Sequence, residues 1–165
     1  MDIKLLHARS PCLVDANIFI YYLAGSSPDC KSFLQRIANG EIVGYLTTVI
    51  IAEVLHRRMI GEAVAKGLVT PNKPLNSLKA NPALIQKLAE HSLEIQKLLS
   101  LPLGVIQVEQ NDITRSHTLR RTHGLFVNDS INLACAERMG LTNVVTNDSD
   151  FGRVPGIDLW KPTDV

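Results

Sequence analysis

The stretch VNDSINLACAERMGLTNVVTNDSDF, residues 127–151, decides the fold class. Its first part carries the marks of a helix over 127–140. Asn128 is a candidate N-cap, Asp129 and Ser130 fill a first turn where the helix dipole favours an acid, and Gly140 supplies the stop. The β-branched run NVVT then reads as a short strand, and the Asn/Asp/Ser cluster after it as a turn. That turn holds two carboxylates, Asp148 and Asp150, at the mouth of the strand. Asp suits turns because its side chain bonds its own backbone, so the pair alone does not establish a site.

The same alternation extends in both directions. Upstream, PCLVD (11–15) reads as a strand and ANIFIYYLAG as a helix ending at Gly25. Residues 28–39 suit a second helix, with Pro28 in its first turn and Gly40 at its stop. IVGYLTT (42–48) is a second strand running into Thr47 and Thr48, either of which can cap the helix that follows. That helix carries apolar residues at 50, 54, 55, 59, 60, 63 and 64 and ends at Gly67. The proline- and asparagine-rich segment 70–82 is a connector with room for one short turn of helix, and 83–100 is expected to be one amphipathic helix with Leu84, Leu88, Ile95 and Leu99 near one face. VIQVE (105–109), a polar helix over 111–122 and a final strand GIDLW (156–160) complete the series. Strands alternating with helices predict an α/β domain with a mainly parallel sheet of about five strands.

A chain of 165 residues fits one domain with a core that needs no staples. Its composition, 45% hydrophobic and 20% charged, is that of an ordinary globular protein. No apolar run reaches the ~18 residues needed to cross a bilayer, and the N-terminal segment lacks a signal-peptide core, so a cytoplasmic protein with no membrane partner is expected. Three cysteines without a C-x-x-C pair predict buried free thiols at Cys12 and Cys135, leave the state of Cys30 open, and argue against a structural zinc site. The net charge of +1 neither demands nor excludes nucleic acid, because acidic ligands can cancel a local basic surface.

The informative residues are the acids. Ligands of open parallel sheets bind beyond the C-terminal strand ends. Asp15 closes the first strand and Asp148 follows the fourth, while Asp129 opens a helix. Glu53 lies within the apolar run VIIAEVL and therefore needs a partner. Each acid has an ordinary structural reading as a cap, a turn residue or the edge of a stripe. Together at one rim, however, four carboxylates would repel one another, and a divalent ion with oxygen ligands, Mg²⁺ or Mn²⁺, relieves that conflict. Glu53-Val-Leu-His56 has the E-x-x-H spacing of di-iron bundles, but a second copy is missing. Asn17 occupies the place where Asp-nucleophile phosphatases carry a second acid, which disfavours covalent chemistry.

Four segments, LVDANIFIYYLAG, TTVIIAEVL, LFVNDSINLACAERMG and VVTNDSDFGRVPGIDLW, resemble in order the acidic motifs of the PIN domain, over about residues 11–161. The small size is similar to VapC-type toxins of toxin–antitoxin modules. The resemblance implies a three-layer α/β/α fold and a Mg²⁺- or Mn²⁺-dependent ribonuclease. It places Asp15, Glu53, Asp129 and Asp148 at the acidic positions. Asp15, Asp129 and Asp148 are then the expected metal ligands, and Glu53 a ligand or a base toward water. Asn17, Thr146 and Asp150 are expected to support them. Arg57, Arg58, Arg115, Arg120 and Arg121 are candidate RNA contacts, with a solvated helix face as the equal alternative. An antitoxin protein and a homodimer are the implied partners beside RNA. The 76 positions from Glu53 to Asp129 exceed the compact pattern and imply a longer helical hairpin around 57–104 within a single domain, 1–165. Competing readings are a non-catalytic RNA- or protein-binding module of the same fold and a metal-dependent DNA nuclease.

Overall fold

The computed structural model describes residues 1–165. Five strands form one sheet: β1 (Pro11–Val14), β2 (Val43–Thr47), β3 (Gly104–Ile106), β4 (Asn143–Val145) and β5 (Asp158–Trp160). Their spatial order is β3-β2-β1-β4-β5, and every pairing is parallel. Leu13 lies opposite Tyr45 on one side and Val144 on the other, so β1 is the central strand. Its Cys12, Leu13 and Val14 are fully buried, as a strand covered by helices on both sheet faces requires. At the β3 edge, Gly104 pairs with Tyr45, and any Cβ at this position would collide with the Tyr45 ring.

Seven α-helices surround the sheet: α1 (Ala16–Ala24), α2 (Pro28–Ala38), α3 (Thr48–Ala65), α4 (Pro74–Ala80), α5 (Glu90–Leu99), α6 (Gln110–His123) and α7 (Val127–Arg138). Local chemistry explains most boundaries. Gly25 closes α1 in the left-handed conformation, and Ser27 caps α2 by accepting from the Cys30 amide. Thr47 caps α3, bonding the Ile50 amide at 3.1 Å, while its hydroxyl donates to Asn132 of α7 at 2.6 Å. One side chain thus starts α3 and fixes it to α7. All seven residues from Ser130 to Ala136 are buried, making α7 the most enclosed helix. The main core joins 32 buried residues, among them Cys12, Cys30 and Cys135, all free thiols.

Expectations for two regions need correction, the chain between 70 and 100 and the start of α7. The segment 83–100 is not one helix: a 3₁₀ helix (Pro82–Lys87) ends at Leu88, and α5 begins at Glu90. The break is imposed from a distance, because buried Glu62 of α3 accepts the amides of Ala89 and His91, both at 3.0 Å. Leu99 is exposed, and Ile95 and Leu98 form the buried stripe of α5. The helical turn allowed within the connector 70–82 is a seven-residue helix, α4. Ala63, Val69, Leu78 and Leu88 gather there into a small second core. The other correction concerns the start of α7. Phe126, not Asn128, is its N-cap residue, and no side chain caps it.

Candidate active site

The strand order reverses between β1 and β4, so the chain leaves their C-terminal ends in opposite directions and opens a crevice there. A cleft of about 390 Å³ lies at that crevice, lined by Asp15, Asn17, Glu53, Arg57, Phe126, Val127, Asn128, Asp129 and Asp148. A second cleft near Tyr22, Lys31 and Leu98 has nearly the same volume, about 400 Å³. Chemistry therefore separates the two, since only the first gathers four carboxylates.

Asp15 is the anchor. It follows β1, caps α1 through Oδ1 to the Ala16 amide at 2.7 Å, and is only 7% exposed. Its Oδ2 accepts from the Thr146 hydroxyl at 2.6 Å and from Asn17 Nδ2 at 2.7 Å. Thr146 in turn accepts from Asn17 Nδ2 at 2.8 Å and from the Asp148 amide at 2.9 Å. One hydroxyl thereby uses its donor and both lone pairs to tie the end of β1 to the turn after β4. Asn17 Oδ1 accepts the Asn147 amide at 3.1 Å and adds a second tie.

The turn after β4 separates its two acids. Asp148 bonds the Asp150 amide through Oδ1 at 2.8 Å, an Asx-type turn, and lines the cleft. Asp150 does not line it and pairs with Arg153 at 2.7 Å. Asp129 reaches the cleft from the first turn of α7, and Glu53 from the second turn of α3. The partner that Glu53 requires is twofold: Asn128 Nδ2 donates at 3.3 Å, and Arg57 approaches at 3.8 Å.

Crowding of these acids is visible in their proton affinities. Burial pushes the Asp15 carboxyl up to about 6, against the hydrogen bonds from Thr146 and Ala16, and the charges of Glu53 and Asp148 add to the rise. Burial also pushes Asp129 up, to about 7, reinforced by the charges of Asp15, Asp148, Glu53 and Asp150. A site that resists holding its own negative charges has the donor chemistry of a hard divalent cation. No three His, Cys, Asp or Glu side chains close into a finished cage. The cleft is open, and a hard divalent ion that keeps several waters needs no complete protein cage.

The predicted arginines have separate fates. Arg57 lines the cleft and is exposed. Arg58 grips Glu94 of α5 through two hydrogen bonds of 2.7 Å. Arg115 grips Glu137 of α7 at 2.7 and 3.1 Å. Arg120 turns toward Ser116 and Ser130, at 3.1 and 3.3 Å. Arg121 is exposed, and like Arg58, Arg115 and Arg120 it lies outside the cleft lining. Three lining residues escaped the sequence reading as site residues, Phe126, Val127 and Asn128. The available signal was Phe126 itself, an aromatic residue where a helix start favours Ser, Thr, Asp or Asn.

Known proteins share this architecture. The chain is 23% identical over 156 residues to ribonuclease VapC2 of Methanocaldococcus jannaschii, covering 94% of this chain and 97% of that one. Among solved structures, VapBC2 of Rickettsia felis bound to a promoter DNA fragment superposes with a TM-score of 0.60 at 16% identity. That match covers 92% of this chain and 98% of the other. A toxin–antitoxin complex from Klebsiella pneumoniae gives 0.59 at 22% identity, over 89% and 95% of the two chains. The PIN domain profile matches residues 12–157, a span that runs from within β1 past the turn after β4 and includes all four acids. The chain belongs to the PIN domain family.

Proposed function

We propose that this protein is an endoribonuclease that uses Mg²⁺ or Mn²⁺ to hydrolyse RNA phosphodiesters, and that it is the toxin of a toxin–antitoxin pair. The observation that carries the reading is the convergence of Asp15, Glu53, Asp129 and Asp148 on one cleft at the sheet's switch point. Membership of the PIN family, a relative named as a ribonuclease and structural likeness to toxin–antitoxin complexes support it.

Asp15, Asp129 and Asp148 are the ligand set in this reading. Asp15 is held rigid by Thr146, Asn17 and its own helix cap, while Asp148 is aimed by its turn. The divalent ion would supply the positive charge that offsets these acids and the phosphate, and would acidify water in the cleft. Glu53, restrained only by a 3.3 Å amide contact and a 3.8 Å ion pair, is free to accept a proton from the attacking water. Arg57 stands beside it to meet a phosphate oxygen. The partners of this reading are an antitoxin that occludes the cleft and a second copy of the chain. The test is cleavage of total RNA with Mg²⁺, Mn²⁺ or EDTA, run beside Asp129→Asn. Metal-dependent cleavage lost in the variant is expected; cleavage that survives EDTA or the substitution overturns the proposal. A matched DNA substrate tests the preference for RNA.

A further inference from the structure

Phe126 is out of place by every structural criterion. The other three phenylalanines, Phe19, Phe33 and Phe151, are fully buried, whereas Phe126 is 75% exposed. It holds the N-cap position of α7, where its side chain caps nothing and a Ser or Asp would satisfy a free amide. It also lines the acidic cleft, three residues before Asp129. Stability thus gains from Phe126 neither burial nor capping.

The backbone that carries this ring is nevertheless held firmly. Leu125 before it is buried in the main core, and the Phe126 carbonyl accepts the Ser130 amide at 2.9 Å. Arg153 bonds the Gly124 carbonyl at 3.3 Å while pairing with Asp150 at 2.7 Å. The loop bearing Phe126 is therefore tied to the turn bearing Asp148. A solvent-facing ring on an anchored backbone, beside a cluster of acids read as a phosphodiester-cutting centre, matches what unpaired bases stack on.

Resting on the ribonuclease reading above, we propose that Phe126 is a positioning residue for substrate: an unpaired base adjoining the scissile phosphate stacks on its ring. Arg57, also in the lining, meets the phosphate itself. The substrate class is accordingly single-stranded or looped RNA, because a base inside a duplex offers no free face to the ring.

The test uses an RNA oligonucleotide that the wild type cleaves, with Phe126→Ala, Phe126→Leu and Phe126→Trp. Ala and Leu should raise KM about tenfold with kcat changed far less, and Trp should keep KM near wild type, given the usual worth of one base–aromatic stack. Leu separates a need for a π-face from a need for apolar bulk. Scanning the oligonucleotide with abasic nucleotides should find one position next to the cut that raises wild-type KM but adds nothing in Phe126→Ala. Circular dichroism verifies that each variant folds, and sedimentation reports its oligomeric state. An unchanged KM in both Ala and Leu overturns the stacking role while leaving the nuclease reading intact. An intact KM with a dissociated oligomer assigns the ring to a protein contact and overturns it equally. If the wild type neither cleaves nor binds any RNA, the nuclease reading itself falls, and the stacking role with it.

Discussion

The hydroxyl of Thr146 donates to Asp15 at 2.6 Å across 131 positions of sequence, and it is the shortest of the ties that join the ends of β1 and β4. Because the same oxygen accepts the Asp148 amide, two of the four acids are aimed by one side chain. Thr146→Val keeps the shape and removes all three bonds of the hydroxyl, leaving Asp15 short of a donor inside the protein. Cleavage should fall ~100-fold and stability by about 1.5–3 kcal/mol, the range for bonds to charged groups. Thr146→Ser should restore both. Comparing the two variants by RNA cleavage and thermal melting checks this; a Val variant as active as wild type removes Thr146 from the site's scaffold.

Asp129 gives a pH prediction whose sign follows from its raised proton affinity. With a native value near 7 against an ordinary 3.8, the native state holds more protons than the unfolded chain between those limits. Stability from this group is therefore fully present below about pH 4 and lost as pH rises through 7. Asp15, near 6, acts in the same direction over a narrower window. Asp129→Asn removes the effect and should melt a few degrees above wild type at pH 8, an advantage that shrinks toward pH 5. Activity should be lost all the same. Melting curves at the two pH values decide it, and a variant less stable at pH 8 contradicts the electrostatic account.

Divalent ions should stabilise the protein through the same cleft. Mg²⁺ or Mn²⁺ at a hundred times its dissociation constant adds about 2.7 kcal/mol by mass action. For a chain of this length that raises Tm by roughly 5–10 °C. Asp15→Asn and Asp129→Asn should abolish the rise. Calorimetric titration of wild type and variants tests it, and equal binding by all three would move the ion elsewhere.

The arginines split into two classes. Arg57 is exposed, and its approach to Glu53 at 3.8 Å is loose. Arg57→Ala should leave Tm within about 1 °C and raise KM for RNA severalfold. Arg58 instead bonds Glu94 twice and joins α3 to α5. Arg58→Ala should lower stability by about 1 kcal/mol with KM unchanged. Kinetics and melting on both variants check the split, and a reversed pattern places RNA along α5.

Much of this site was legible because its parts are short-range. Asp15 at a strand end, Asp129 in a helix first turn and Asp148 in an Asx-type turn each carry local signals, and parallel topology brings them to one rim. What the sequence hid was set at long range. The break before α5 has no local cap, because Glu62 caps it from 27 positions away. Asn128 looks like a cap but bonds Glu53, 75 positions upstream. Arg58 and Arg115 look like free cations, and only the fold reveals the carboxylates that hold them.

Glu62 is the clearest long-range device, and it yields the last prediction. It is 6% exposed and accepts from Lys66 at 2.6 Å and from the Ala89 and His91 amides, and it meets His91 Nδ1 at 2.7 Å. Burial pushes its carboxyl up, but the bonds from Lys66 and His91 prevail and hold it well below the ordinary range. A depressed acid contributes stability that is present above its unfolded value, near 4.5, and lost as pH falls below it. Glu62→Gln keeps the shape and removes the charge. It should cost about 2–4 kcal/mol at pH 7, chiefly by leaving the start of α5 poorly capped, and less at pH 3.5. Hydrogen exchange should quicken at Ala89 and His91 before it does in β1, because α5 is fastened to α3 at this point while β1 lies at the centre of the sheet. Exchange that quickens everywhere at once would mean that α5 does not open separately.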